Sequence, residues 1–556
     1  MSFRSVNLSL LLRNLKMNTF PVFWQSRWVA VIGLVLVDWL LGRSTIAQSA
    51  KPVPLEVVVT TTTSPKPTPV RVRLTRAGRV VGQLPQQALG VMYGLWDHAD
   101  GFGFQPDSSF YVNGRFSISL PPGTYELFLS KGIEFIDQRH QLVVQAGKTQ
   151  KKSYLLTRWI DMAARGWYST DGHVHIRRSP REDPLLMSWL QAEDVRVGVL
   201  LRMGDFWETY YPQYAFGEPG VYQRENHLLV AGQEDPRTPE LGHALGYGAS
   251  DKVRFSKEYY HYDAVFDQLH ALGGVTGYAH HAETFHGYRG LTLDGLRGKV
   301  DVLEILQYCV DANPLRTDHY YHLLDLGFPV TATAGSDFPW CGQDHDHGSP
   351  EHSARIGNAR FYVYTDKPLT NQAWKAGLKA GHTVATSGPM LDFRVNNARP
   401  GDHLDVKKGT KLVISAQAFG HATQVPLEKI ELVGHGKVLA SVTKREPGQS
   451  ASQLTLKLDL DTLTRGIWLA ARCFAGSQQA AHTTPVYVTV EGGGFHNPET
   501  AEKYLRRSEN YLQEIEQELE KESQNPELRL WYYKKGLKSR IADTREVIEG
   551  LRKKLR

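Results

Sequence analysis

Between Arg158 and about Pro389 the chain repeats one pattern: a short apolar run, a polar residue, then an amphipathic stretch. The runs at residues 195–201, 274–280, 300–305 and 330–334 are five to seven residues long. That is strand length, and the helix-period stretches between them are long enough to carry the chain back for parallel pairing. The region is therefore expected to be α/β with parallel strands, an architecture that collects chemistry at the C-terminal strand ends. Two of the runs end on residues suited to it, in Tyr278-Ala279-His280 and Ala334-Gly335-Ser336-Asp337.

The same region opens with Gly-Trp-Tyr-Ser-Thr-Asp-Gly-His-Val-His-Ile at residues 166–176. Side chains alternate along a strand, so His173 and His175 project from one face and can grip one metal ion. Asp171 falls one alternation earlier, where a carboxylate can take the second ring N–H of a ligating imidazole and fix its tautomer. Further donors are Glu234 in Gly232-Gln233-Glu234, His243 in Gly242-His243, and the strand-end residues His280 and Asp337. Imidazoles and carboxylates are the ligand set of zinc, manganese or iron, and a bridging carboxylate can hold two ions. A single buried histidine is ordinarily a satisfied core residue. What points to metal is the arrival of these groups in order after His-x-His.

At 556 residues the chain is too long for one hydrophobic core, and three or four domains are expected. The formal charge of +6 falls to about +2 without residues 1–47, which carry five Arg or Lys and one Asp, so no basic excess suggests nucleic acid. Three cysteines, Cys309, Cys341 and Cys473, with no Cys-x-x-Cys pair, indicate neither a thiolate zinc site nor a disulfide scaffold. Arg27 precedes an apolar run at residues 28–41, followed by small residues suited to cleavage. The run is short of the roughly 20 residues a span needs. Residues 1–47 are thus expected to be an export signal, giving a periplasmic or secreted protein with no integral span once it is removed; an uncleaved membrane anchor is the alternative.

Residues 48–69, rich in Thr, Ser, Pro and Val, read as a linker. Alternation at 70–74, the Asn113-Gly114 turn and the Pro121-Pro122-Gly123 break predict a β-sandwich over residues 70–157. It is similar to the carboxypeptidase-regulatory type, which implies a binding or spacer module. Alternation returns at 411–415, 429–433, 454–458 and 486–490, predicting a second β-sandwich over residues 391–491. After Gly492-Gly493-Gly494, Asn497-Pro498-Glu499 caps a helix with Tyr504, Tyr511, Ile515 and Leu519 at helical spacing, and Asn525-Pro526 opens a second. Residues 492–556 are expected to form a helical hairpin whose apolar stripe packs on the rest of the chain.

With these residues assembled, residues 167–389 resemble the PHP (polymerase and histidinol phosphatase) metallohydrolases, and within them the carbaryl-hydrolase-like CehA/McbA group. The resemblance rests on Asp171 with His173-Val174-His175, Gly232-Gln233-Glu234 with Gly242-His243, Ala279-His280, Ala334-Gly335-Ser336-Asp337, residues 381–389, and residues 482–487 of the second sandwich. It implies a distorted seven-stranded β/α barrel over residues 158–390, flanked by the two sandwiches, with His173, His175, Glu234, His243, His280 and Asp337 holding divalent ions. The family's usual Asp-x-His ending is Asp337-Phe338-Pro339 here, so one to three ions of Zn, Mn or Fe are expected. Asp344-His345-Asp346-His347 and His352 are a second source of ligands, Glu304 is an outer partner, and Cys309 is assigned to packing.

The chemistry so implied is metal-assisted hydrolysis of an ester-type bond in a small substrate: a phosphoester, a carbamate or a carboxylic ester. His281 and His286 are candidates to protonate the leaving group. Arg177, Arg178 and Arg202 follow strand ends and are candidates to hold a phosphate. The competing expectation is an exported binding protein with one structural ion, whose sandwiches recognise carbohydrate or a cell surface.

Overall fold

The structure is a computed structural model, describing residues 51–90, 103–105, 107–280, 284–307, 315–339, 355–476, 478–525, 534 and 536–555. The expected signal at 1–47, His281, Cys309, Cys341, residues 344–347 and His352 lie outside them. The architecture is mixed α/β and mostly strands. Its centre is a curled sheet of β1 (Trp167–Val174), β2 (Val197–Gly204), β3 (His227–Thr238), β4 (Gly242–Tyr247), β5 (Val275–Tyr278), β6 (Val302–Gln307) and β7 (Thr331–Gly335). Neighbours in sequence are neighbours in the sheet. Just beyond β7 and β1 the sheet curls back on itself, where the His175 N–H donates to Phe338 O at 2.7 Å.

The expectation of parallel strands needs correction on one side. The β3–β4 and β4–β5 pairings are antiparallel, the other neighbours in this sheet parallel. Only residues 239–241 separate β3 from β4, too few for a crossover, so the chain must turn back as a hairpin. Because β4 runs in reverse, its first residues, among them His243, lie where the parallel strands end. Helices α1 (Asp183–Ala192), α2 (Tyr262–Ala271), α3 (Gly287–Gly295), α4 (Asp318–Asp325) and α5 (Asn371–Lys379) cover the sheet. Trp189 of α1 and Trp374 of α5 are fully buried, and the Trp374 indole N–H donates to Thr170 of β1 at 3.0 Å.

The N-terminal domain has two sheets, and the linker expected at 48–69 needs correction at residues 53–61. Val53–Thr61 is a strand between Arg115–Leu120 and Gln150–Leu156. Val53, Leu55, Val57 and Val59 fill the core of the sandwich, so an alternation obscured by Thr and Pro decides the outcome. Arg158 ties this domain to the central one, meeting Glu134 at 2.7 Å and Asp194 at 2.7 and 2.8 Å.

The C-terminal β-region is hydrogen-bonded into the central sheet. Arg360–Tyr364 pairs with β1 and with Thr383–Thr386, which in turn pairs with Gln479–Thr483. Helices α6 (Ala501–Ser523) and α7 (Leu537–Lys554) bury Leu505, Leu512, Ile515, Leu519, Ile541 and Ile548 in the central core. The apolar stripe thus packs on its own chain, as expected, and Arg540 of α7 reaches Asp294 at 2.7 Å. A second helix spans Leu537–Lys554, and the start expected from Asn525-Pro526 falls, from Pro526 on, outside the described residues. Among the described residues no helix is long and apolar enough to cross a membrane.

Candidate metal centre

Six of the expected ligands converge. His173 and His175 leave β1, Glu234 is on β3, His243 on β4, His280 follows β5 and Asp337 follows β7, all buried. The ligand atoms of His173, His175 and Glu234 lie within 4.8 Å of one another, as do those of Glu234, His243 and His280. Glu234 is shared. Its Oε2 is 3.3 Å from His175 Nε2, while its Oε1 is 2.8 Å from His243 Nδ1 and 3.5 Å from His280 Nε2. Asp337 Oδ1 lies 3.3 Å from the Nε2 of both His173 and His175.

The donor set fits a cation on a direct physical test. His173 Nδ1 is 3.2 Å from Glu304 Oε1, and His175 Nδ1 is 3.2 Å from Leu201 O. With those nitrogens donating outward, the two Nε2 atoms face each other at 3.1 Å, lone pair against lone pair, unless a proton or cation intervenes. Burial disfavours an imidazolium at His173, but Asp337, Glu304 and Glu234 override it and hold the ring well above the ordinary histidine value. Burial likewise opposes ionisation of Asp337, yet His173 and His175 hold it down at about 2. The carboxylate surplus that keeps protons on these rings is the field a dication needs.

The backbone is shaped for this cluster. His280 and Asp337 have φ of 24° and 55°, a region uncommon for residues with a Cβ. A Cβ on Gly335 would fall 2.2 Å from His173 Cβ and 2.6 Å from Glu304 Oε1, so only glycine lets β7 pass behind the imidazole.

Several assignments change. Asp171 is not a partner of an imidazole: its carboxylate accepts backbone N–H groups from His173 (3.1 Å), Ser336 (3.0 Å) and Gly357 (2.6 Å). The cause is a register shift in the β1–β2 pairing, where three steps from Asp171 to Val174 match two from Gly198 to Leu200. An extra residue in this stretch breaks the strict alternation from which Asp171 was read. Glu304 takes the role expected of Asp171. The phosphate-holding role is also unsupported for Arg178, buried against Asp183 at 2.5 Å, and for Arg202, held near Asp235 at 3.5 Å. Arg177 lies 3.7 Å from Glu182, and His286 is exposed with its Nδ1 2.8 Å from Pro239 O.

Four residues that the sequence did not flag border the site. Gln307 donates to Asp337 Oδ2 at 2.9 Å. A register shift in the β6–β7 pairing lets both Glu304 and Gln307 face the cluster. Arg237 Nε lies 3.0 Å from Glu234 Oε2 and 3.3 Å from His243 Nδ1. Burial and this guanidinium push His243 down to about 3. The Tyr211 ring stacks on His175 with centroids 5.4 Å apart, and the half-exposed Phe285 ring stacks on His243 at 4.5 Å. A third acidic group, Glu240, Glu518 and Glu522, is bridged by Lys534, whose Nζ lies 3.1, 3.5 and 2.6 Å from them.

No family model matches the chain, and no curated protein matches it. Among solved structures, one similar chain is a β-glucosidase from Listeria innocua, 12% identical with a TM-score of 0.13, covering 19% of this chain and 16% of that one. A β-glucuronidase from Bacteroides uniformis is 10% identical with a TM-score of 0.16, covering 77% of this chain and 58% of that one. An engineered protein is 9% identical with a TM-score of 0.14, covering 55% and 52%. The chain thus spans less than two thirds of each, and likenesses this slight carry no argument about fold or activity.

Proposed function

We propose that this chain is an exported, divalent-metal-dependent hydrolase of an ester-type bond, built on a PHP-type barrel. The observation that carries the reading is Glu234, whose carboxylate stands between two separate histidine pairs, His173 with His175 and His243 with His280, inside a buried cluster. His173, His175, Glu234 and Asp337 would hold a first ion, and Glu234, His243 and His280 offer a second position. A divalent ion of the zinc, manganese or iron type supplies Lewis acidity, acidifying water and polarising the ester oxygen. Glu304 and Leu201 O aim the two β1 imidazoles, Gln307 aims Asp337, and Tyr211 shields His175 from solvent. The exposed Phe285 ring beside His243 supports a substrate with an apolar group next to the bond cleaved.

The binding-protein reading draws support from Arg237, which already sets a positive charge beside Glu234 and His243, and from Pro339 in place of histidine. Elemental analysis with assays on nitrophenyl phosphate, bis-nitrophenyl phosphate, nitrophenyl acetate and a nitrophenyl carbamate separates the two. The hydrolase predicts metal-dependent turnover of at least one of them that is lost in His173→Ala. One tightly held ion without turnover of any would favour the binding protein.

A further inference from the structure

A second polar cavity lies where the N-terminal domain, the segment leading into strand Arg360–Tyr364 and the C-terminal β-region meet. It has a volume of about 340 Å³ and is lined by Arg71, Arg355, Asn358, Arg360, Ser387 and Gln424, among others. It adjoins a cleft of about 670 Å³ to which Arg73 and Arg139 contribute, and Arg71 and Arg355 line both. Across the two, five arginines stand against three acids, Asp107, Asp137 and Glu193.

Two of those acids are already engaged. Asp107 and Glu193 meet Arg71 at 2.7 and 3.0 Å, and Glu193 also accepts from the Tyr111 hydroxyl at 2.6 Å; Asp137 stands exposed at the rim. Arg360 is different. It is only 1% exposed, yet its guanidinium donates to carbonyl oxygens alone: Gly357 at 2.5 Å, Glu193 at 3.0 Å and Asp194 at 3.2 Å. Two of those carbonyls follow the C-terminus of α1, whose dipole supplies only about half a negative charge. Among the described residues, no carboxylate lies within ion-pairing distance of Arg360 or Arg355, although the Arg355 charge helps Arg71 hold the Asp107 carboxyl below its ordinary value, and the buried Nδ2 of Asn358 has no acceptor. A buried guanidinium and an idle buried donor are costly unless an acceptor completes them.

The segment is also held in place. The Gly357 N–H donates to Asp171, and a Cβ on Gly357, whose φ is 75°, would lie 2.5 Å from Arg360 Nη2. Glycine here lets the guanidinium fold back over its own backbone.

We propose that this cavity binds a small oxyanion, a phosphate or a carboxylate, with Arg355 and Arg360 carrying the charge and Asn358 donating a hydrogen bond. The site is separate from the metal cluster and does not depend on the function assigned to that cluster. The test is calorimetric titration of the full chain with inorganic phosphate and with citrate, against sodium chloride of equal ionic strength. Saturable binding of at least one of them at or below about 1 mM is expected, because a few charge-assisted bonds suffice for that affinity. Arg355→Ala, at a partly buried residue outside any ion pair among the described residues, is expected to weaken it at least tenfold while leaving the melting temperature unchanged. Arg360→Gln is expected to abolish it, and His173→Ala to leave it intact. Phosphate alone binding marks a phosphoryl site, citrate alone a carboxylate site. No saturable binding of either, binding that chloride reproduces, or binding lost in His173→Ala but kept in Arg355→Ala would overturn the proposal.

Discussion

The imidazoles on the two sides of Glu234 sit in opposite electrical surroundings. On the β1 side, His173 and His175 are anchored outward on Glu304 and Leu201 O and face Asp337 as well as Glu234. Carboxylates dominate there, and both rings are held above the ordinary histidine value against the effect of burial. On the β4–β5 side, Glu234 is the one carboxylate within ion-pairing distance of His243 and His280 among the described residues, and Arg237, 3.0 Å from the Glu234 oxygen that faces His175, also sets its charge 3.3 Å from His243 Nδ1. A dication is drawn to a carboxylate surplus and repelled by a fixed guanidinium. Anchoring and charge balance therefore rank two halves that a count of ligands would call alike, and the β1 side is expected to fill first.

The largest effect expected is from Asp337→Asn, which removes a carboxylate from the β1 side alone. It should lower the affinity of the first ion by more than about 100-fold, beyond the cost of losing an outer partner, and on the proposed hydrolase reading abolish turnover. Competition against a fluorescent chelator reads this, and retention of the first ion would break the ranking. Glu304→Gln keeps the fold and weakens the anchor of His173. It is expected to cost about 10- to 100-fold in metal affinity by the same titration.

Arg237→Gln works in the other direction. Without the guanidinium the β4–β5 side should gain about tenfold in affinity for a second ion, near 1.4 kcal/mol. Metal titration followed by elemental counting checks it, and an unchanged second-ion affinity would show that charge does not set the difference.

The smallest effect concerns a histidine outside both halves. Burial pushes His482 down to about 3, and its ring is satisfied as a neutral group between Thr483 O and the Tyr321 hydroxyl, both at 2.7 Å. The unfolded chain takes up this proton near pH 6.5 and the folded chain only near pH 3, so stability falls as pH drops through that window. His482→Gln should flatten the pH dependence of the urea midpoint between about pH 7 and pH 4 and leave the metal content unchanged. A loss of metal in this variant would show that stability and site are not separable.

Much of the cluster was legible because strand alternation and strand ends are written in the sequence: His173 with His175, and His280 and Asp337 after apolar runs. What misled was irregular pairing. The extra residue between Asp171 and Val174 breaks the alternation on which the pairing of Asp171 with an imidazole rested, and a second irregularity placed Gln307 in the site although it is three residues from Glu304. Neither leaves a composition signal. The direction of β4 was legible in principle, since residues 239–241 cannot hold a crossover. Arg237 was not, because only the folded hairpin brings it back against Glu234. At the flanks, Val53, Leu55, Val57 and Val59 alternated in plain view, and the Thr- and Pro-rich residues after them obscured a strand.

The account stands on the claim that the buried His and carboxylate cluster holds a divalent ion, and metal counting tests it most directly. The chain is purified without added metal, dialysed against a weak chelator and analysed for zinc, manganese and iron, alongside His173→Ala handled identically and verified as folded by circular dichroism. The account predicts at least one divalent ion per wild-type chain and only trace metal in the variant. Trace metal in both, or equal metal in both, would contradict it.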